Sequence, residues 1–218
     1  MDRRPGILAR GPWAAADVET RWHEEPYEPE PEKERAADAA IRALRERGSP
    51  SHDGVAARLA GYVERPGGGL VMDLQPTRWA LRLVEGDASD SVAALCVTRD
   101  WRGRWLAGRR APWLSSWAGR WALGAGGAVD VGESPVDTLQ RELREEWSVD
   151  ADRMTAEALV RLPHRLVMFV GMAWLPEGAE VVPDDEHDEW AWWPPDPATW
   201  PPEASEPLRR MAVLLAAR

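Results

Sequence analysis

The segment from Gly127 to Val149 constrains this chain more than any other, because it specifies a helix with two distinct faces. Ser134 is a good N-cap, Pro135 suits the first helical position, and Asp137 completes an acidic variant of the capping box. The sequence therefore predicts a helix over residues 135–147. Its buried stripe consists of apolar residues three and four positions apart: Val136, Leu139, Leu143 and Trp147.

The second face of the predicted helix is acidic. Glu142, Glu145 and Glu146 are three and four residues apart, so their side chains lie one above another on a helix. Carboxylates at this spacing destabilise a helix by roughly 0.2 to 0.5 kcal/mol per pair. A hard divalent cation would relieve the repulsion, and Mg²⁺ is usually held by one or two carboxylates together with substrate phosphates. The acidic face therefore predicts a Mg²⁺ site, with Mn²⁺ as the alternative metal.

A glycine-rich stretch, Leu123–Gly127, precedes the helix. Its backbone carries little side-chain bulk, so amide groups can approach a phosphate closely. We therefore expect Gly126 and Gly127 to bind substrate. Together, this stretch and the acidic helix suit a metal-bridged pyrophosphate.

The segment resembles the Nudix box, which is a glycine, five residues, a glutamate, seven residues, and then Arg-Glu-apolar-x-Glu-Glu-x-Gly-apolar. One position departs, since Ser148 stands where the box has glycine. That position is expected to end the helix in left-handed geometry, where serine costs about 1 kcal/mol. It coordinates nothing, so the chemistry is not obviously compromised. The matching positions are Gly127, Glu133, Arg141, Glu142, Leu143, Glu145, Glu146 and Val149.

The resemblance implies a Mg²⁺-dependent hydrolase that cleaves the pyrophosphate bond of a nucleoside diphosphate linked to another moiety. Glu145 and Glu146 would be the principal metal ligands, and Glu142 a further ligand or a water-activating group. Arg141 would orient these glutamates, and Glu133 would support the loop. The identity of the general base is left open.

Strands interrupted by helices predict a mixed α/β fold. The resemblance implies a Nudix-type α/β/α sandwich with a mixed β-sheet over residues 91–218. An N-terminal helix and β-hairpin over residues 31–90 would elaborate it, and residues 1–30 read as a flexible or loosely docked arm. The predicted helices are 32–47, 135–147 and 205–217, with one or two helical turns in 77–84. The predicted strands are 57–64, 69–75, 91–98, 105–109, 159–162, 166–174 and 190–193.

Composition and charge limit the classes of partner that the protein is expected to bind. A net charge of -10 argues against nucleic acid and leaves a small-molecule nucleoside-diphosphate substrate as the expected partner. The longest apolar run, Leu166–Leu175, is about half of the roughly 20 residues that a membrane span requires. The lone Cys96 cannot form an internal disulfide, and the first residues lack a signal peptide, so we expect a cytoplasmic protein with no membrane partner. A homodimer is left open.

Other residues carry weaker predictions. Arg109 and Trp121 are candidate substrate-binding residues, although ordinary surface or packing roles are more common for such side chains. The acidic run 184–189 reads as a solvated loop, with a second metal site as the alternative, and Glu189 is one candidate base outside the box. Residues 52–59 and the hairpin after them resemble the leader of Nudix proteins that cleave nucleotide sugars, which favours a nucleotide sugar or ADP-ribose type of substrate.

Two other functions are alternatives to hydrolysis. A non-catalytic Nudix-like module that senses a nucleotide or binds a protein would usually lose box glutamates, and this chain keeps all of them. An isomerase of the family's isopentenyl-diphosphate branch would need a catalytic cysteine in a later strand. Cys96 lies in the first predicted core strand, which disfavours that alternative.

Overall fold

The computed structural model describes residues 4–49, 53–114 and 116–216. Within them the chain forms three α-helices and eleven strands, and the predicted mixed α/β fold is confirmed. The helices are α1 (Pro31–Glu46), α2 (Pro135–Trp147) and α3 (Glu206–Ala216). The strands are β1 (Gly6–Ala14), β2 (Val18–Trp22), β3 (Val55–Glu64), β4 (Leu70–Arg78), β5 (Val92–Arg99), β6 (Trp105–Arg110), β7 (Trp121–Leu123), β8 (Ala125–Ala128), β9 (Arg153–Arg161), β10 (Val167–Trp174) and β11 (His187–Trp193).

The strands form two sheets. The larger has the order β1-β9-β10-β5-β6-β11, with β7 paired to β6 and β8 paired to β5. The smaller has the order β2-β4-β3, in which β2 runs parallel to β4 and β3 runs antiparallel to it. The β3–β4 pair is the hairpin that the sequence predicts, with the turn closed by the Arg65 N–H donating to the Gly69 carbonyl (3.0 Å).

Contacts divide the chain into two compact units. The first comprises the chain up to Leu95, Gly127–Leu139 and Thr155–Gly171. One hydrophobic cluster of this unit lies between α1 and a short 3-10 helix, Trp79–Leu83. This 3-10 helix lies within residues 77–84, where the sequence predicts one or two helical turns. The buried members of the cluster are Ala37, Ile41, Leu44, Ala80, Leu81 and Val84.

Residues 1–30, which the sequence presents as a flexible or loosely docked arm, contain two strands in the structure. Strand β1 pairs antiparallel with β9, from Gly6 opposite Arg161 to Ala14 opposite Thr155. Trp13 is buried, and β2 adds a parallel strand beside β4. Local sequence patterns do not predict these two strands, because their partner strands lie far away in the chain. In β1 the burial is irregular, so the strand shows no two-residue period.

The second unit comprises Cys96–Gly126, Gln140–Met154 and the chain from Met172 onward. Its strands β6 and β11 pair antiparallel, with Trp193 opposite Trp105 and Glu189 opposite Arg109. Trp200 packs its ring against both Trp193 (centroids 4.9 Å apart) and Trp105 (5.8 Å). This packing fixes one end of β11, and the other end carries the acidic segment 184–189. None of the helices described is both long enough and apolar enough to cross a bilayer.

Candidate active site

Helix α2 begins as its sequence predicts. The Ser134 hydroxyl accepts the Asp137 N–H (3.1 Å), and the Asp137 carboxylate accepts the Ser134 N–H (3.3 Å), so the capping box is closed. The Thr138 hydroxyl donates to Glu133 Oε2 (2.9 Å), and the Glu133 carbonyl accepts the indole N–H of Trp22 (3.0 Å). Glu133 therefore ties the turn before α2 to the first turn of the helix.

Glu146 is the most deeply buried acid of α2, at 3% exposure. Its Oε1 accepts the amide N–H of Gly126 (2.8 Å). Its Oε2 is buried and has no hydrogen-bond partner within the described part of the chain. Burial raises the pKa of Glu146 well above its ordinary value, although the Gly126 amide opposes the shift. An unpaired carboxylate oxygen in such a place is costly unless a cation or a proton reaches it.

Glu142 and Glu145 share one guanidinium. Arg141 Nη1 lies 2.7 Å from Glu142 Oε1 and 3.0 Å from Glu145 Oε2. Glu142 is buried and Glu145 is exposed. Burial raises the pKa of Glu142 to about 7, against the opposing charge of Arg141. Arg141 thus pairs with two of the box carboxylates, and its position between them is one that a cation could also take.

A fourth carboxylate, from outside the box, belongs to the same cluster. Glu186 lies just before β11, and its Oε2 is 3.3 Å from Arg110 Nη2. The negative charge of Glu186 contributes to the raised pKa of both Glu142 and Glu146, so Glu186 interacts electrostatically with these two box carboxylates. Burial also raises the pKa of Glu186, while Arg110 opposes the shift. The sequence treats this acidic run as a solvated loop, and no local pattern distinguishes Glu186 from its acidic neighbours.

Glu189, Arg109 and Trp121 make contacts of their own. Arg109 pairs with Asp188 (2.7 Å) and with Glu189 (2.8 Å), and Glu189 is exposed. Trp121 is half-buried on β7, where its ring packs against Trp193 with centroids 5.3 Å apart. Substrate binding by Arg109 and Trp121 stays a prediction, and their present partners would compete with it.

The glycine-rich stretch packs too tightly for side chains at one point. Gly124 has a left-handed backbone (φ 66°), and a Cβ atom there would collide with the carbonyl oxygen of Cys96. The Gly124 carbonyl accepts the indole N–H of Trp147 (3.0 Å), which ties the stretch to the end of α2. Gly126 and Gly127 are half-buried in the short strand β8, and the Gly126 amide holds Glu146. A phosphate-binding role for these two glycines stays a prediction.

Cys96 has the properties of a packing residue. Its side chain is fully buried, and burial raises the pKa of the thiol to about 12. A thiol of this kind is not ionised at neutral pH, as a nucleophile would need to be, and it is not exposed to a substrate. The structure thus adds a physical reason against the isomerase alternative.

The carboxylate cluster has the chemistry that a hard divalent cation requires. It offers oxygen donors, one of them buried and without a hydrogen-bond partner, and the donors repel each other. Across residues 4–49, 53–114 and 116–216, no three acidic, histidine or cysteine side chains converge as a ready-made metal cluster. In this structure the guanidinium of Arg141 pairs with Glu142 and Glu145 instead. The residues therefore fit a cation bound with some rearrangement of Arg141.

A family model for the NUDIX domain matches residues 90–214. The chain belongs to the Nudix family. The resemblance seen in residues 127–149 is confirmed, and the family assignment makes the protein a Nudix-type pyrophosphohydrolase. Nudix enzymes generally use divalent metals, which agrees with the carboxylate cluster.

Solved structures that are similar to this chain include the following three. MutT from Methanosarcina mazei Go1 is 24% identical (TM-score 0.40), with 47% of this chain and 75% of that chain covered. An Ap4A hydrolase from C. elegans, in a binary complex, is 17% identical (TM-score 0.46), with 58% and 96% covered. The NUDIX domain of Shewanella oneidensis NrtR, complexed with ADP ribose, is 19% identical (TM-score 0.45), with 59% and 86% covered. No curated protein matches this chain.

Proposed function

We propose that this Nudix protein hydrolyses, with Mg²⁺, the pyrophosphate bond of a nucleoside diphosphate linked to a second moiety. The supporting observation is the buried Oε2 of Glu146, which has no hydrogen-bond partner in the described residues and lies in a cluster of mutually repelling carboxylates. Such a group is costly in a protein that binds nothing there. The presence of all three box glutamates in this cluster favours an enzyme over a sensing module.

In this proposal Glu142, Glu145 and Glu146 hold the cation. A bound divalent cation neutralises charge on the pyrophosphate and makes a nearby water easier to deprotonate. Arg141 releases its carboxylates for this purpose and remains close enough to limit their movement. The amide of Gly126 keeps Glu146 Oε1 in place, which would leave Oε2 to bind the cation.

We assign the general base to Glu186 in preference to Glu189. Glu189 is exposed and paired with Arg109, whereas Glu186 is coupled electrostatically to the box carboxylates. Burial raises the pKa of Glu186, and a carboxylate with a raised pKa is a better proton acceptor. Glu186 would take the proton from water as the water oxygen bonds to phosphorus. The bridging P–O bond would then break and release the nucleotide or phosphosugar.

For the substrate we favour a nucleotide sugar or an ADP-ribose type of molecule. Of the leader-like residues 52–59, His52 lies outside the described residues, and Val55–Leu59 begin strand β3 of the hairpin. The hairpin itself has the place in the chain that the resemblance requires. This supports the substrate class and leaves the attached group to be identified by assay.

The test is an activity panel with the purified full chain. Nucleotide sugars, ADP-ribose, dinucleoside polyphosphates and nucleoside triphosphates would be offered with and without Mg²⁺, and the phosphorylated products measured. We expect divalent-dependent turnover that falls by about 10²-fold or more in Glu146→Gln. The matched control is Glu177→Gln, which removes the same charge from an exposed position and should change nothing.

Equal rates in Glu146→Gln and the parent protein would reject the assigned site. No turnover of any substrate, together with tight nucleotide binding, would instead favour a sensing module.

A further inference from the structure

A buried histidine lies directly beside the acid at the centre of the cluster. His187 opens β11, and its side chain is 1% exposed. Its Nε2 lies 3.5 Å from Glu146 Oε2, and its Nδ1 lies 3.5 Å from Asp184 Oδ1. Both ring nitrogens and the Glu146 oxygen are buried without a hydrogen-bond partner within the described residues. Three unpartnered polar atoms therefore lie in one small region.

The imidazole ring is held from both sides. It stacks on Trp147 with centroids 4.4 Å apart and planes inclined by 35°. The Trp147 ring is itself fixed by its N–H bond to the Gly124 carbonyl (3.0 Å). Behind the imidazole is Gly108 of β6, where a Cβ atom would collide with the rings of both His187 and Trp147. The ring therefore has little freedom to turn, and its Nε2 is directed at Glu146.

The backbone holds the same group of residues together. The Asp184 N–H donates to the Glu146 carbonyl (2.9 Å), and the Glu186 N–H donates to Asp184 Oδ1 (3.0 Å). The segment before β11 is therefore fastened to the last turn of α2. This holds His187 beside Glu146 through the backbone.

We propose that His187 is a positioning residue for Glu146. Its Nε2–H donates to Glu146 Oε2, while the Gly126 amide holds Oε1, so both oxygens of the carboxylate are fixed. A carboxylate oxygen has a second lone pair, which leaves Oε2 able to bind a cation at the same time. A hydrogen bond that is long in the free protein commonly tightens in the functional complex.

This inference rests on the proposed function, because it assigns His187 a role toward the same cation. Groups that orient a metal ligand typically change metal affinity or activity by 10- to 100-fold when they are removed. A residue that only fills space beside Trp147 would alter stability and leave metal affinity alone. The two roles therefore differ in a measurable way.

The experiment measures Mn²⁺ binding to the purified full chain by electron paramagnetic resonance, without substrate. His187→Phe keeps a ring on Trp147 and removes the N–H, so its Mn²⁺ affinity should fall about 10- to 100-fold. His187→Gln carries an amide nitrogen that reaches the place of Nε2 and should stay within a few-fold of the parent. His187→Asn is a matched control, since its shorter amide cannot reach Glu146, and it should bind as weakly as the phenylalanine variant.

The Tm of each variant separates loss of the hydrogen bond from loss of packing. Should His187→Phe fail to fold, the comparison of His187→Gln with His187→Asn decides the question. Parent-like Mn²⁺ binding in His187→Phe or His187→Asn would overturn the positioning role, as would losses that follow Tm alone. Neither result would count against the proposed function, which is tested on the parent protein. A parent that neither binds Mn²⁺ nor turns over any substrate would overturn the proposed function as well.

Discussion

Replacing Ser148 with glycine should stabilise the protein. Ser148 directly follows α2, and its backbone is left-handed (φ 53°). Its N–H donates to the Arg144 carbonyl (2.9 Å), which is the single hydrogen bond of a helix that ends in this geometry. The Ser148 side chain is exposed. Its removal therefore changes the backbone energy and little else.

The size of the effect follows from two opposing contributions. A residue with a Cβ atom costs about 1 to 2 kcal/mol in the left-handed region, and glycine does not carry that cost. Glycine loses about 0.4 to 1 kcal/mol more conformational entropy on folding. The net gain in the free energy of unfolding should be about 0.5 to 1 kcal/mol. In a chain of this size it corresponds to a rise in Tm of about 1 to 4 °C.

Urea unfolding and calorimetry of Ser148→Gly, Ser148→Ala and the parent measure this gain. The alanine variant keeps the Cβ atom in the left-handed region, so it should be no more stable than the parent. Because Ser148 binds neither metal nor substrate in the proposed site, kcat should stay within about twofold in both variants. A glycine variant no more stable than the alanine variant would refute the backbone argument.

Two further predictions concern the site and its supporting loop. The pKa of Glu142 is about 7 in the folded protein against an ordinary value of 4.5, so the folded state binds more protons than the unfolded state between these values. The metal-free protein should therefore lose up to about 3 kcal/mol of stability as pH rises through this range. In urea unfolding between pH 5 and pH 8, Glu142→Gln should lose less stability than the parent. Equal slopes of unfolding free energy against pH in the two proteins would contradict the raised pKa. Gly124→Ala should cost about 2 to 5 kcal/mol by thermal unfolding, because its Cβ meets the Cys96 carbonyl as well as carrying left-handed strain. Gly132 has φ 91° and open space around it, so Gly132→Ala should cost only about 1 to 2 kcal/mol. Similar losses of stability in Gly124→Ala and Gly132→Ala would contradict the collision with Cys96.

Helix α2 could be predicted almost completely from the sequence, since local rules determine it. Ser134 and Asp137 close the capping box, and the position where the box departs from glycine has the left-handed backbone that the motif demands. The spacing of the glutamates then places them on one face. A motif within one helix depends on neighbours at most four residues apart, so no knowledge of the tertiary fold is needed.

The rest of the site depends on pairings between distant segments. Glu186 and His187 reach the box because β11 pairs with β6 in one register, with His187 opposite Arg110. A shift of one residue would turn each side chain to the other face of the sheet, and the acidic run alone does not indicate the register. Strand β1 is not predicted from the sequence for a related reason, since its partner β9 begins more than a hundred residues later.

The charges of the carboxylate cluster favour the binding of a cation. When ionised, Glu142, Glu145, Glu146 and Glu186 together carry four negative charges, and Arg141 and Arg110 return two positive ones. Burial raises the pKa of Glu142, Glu146 and Glu186, and repulsion between the carboxylates adds to each shift. A divalent cation would supply positive charge to the cluster without protonation. Metal affinity should then rise with pH as the acids ionise, because cation and protons compete for the same carboxylates.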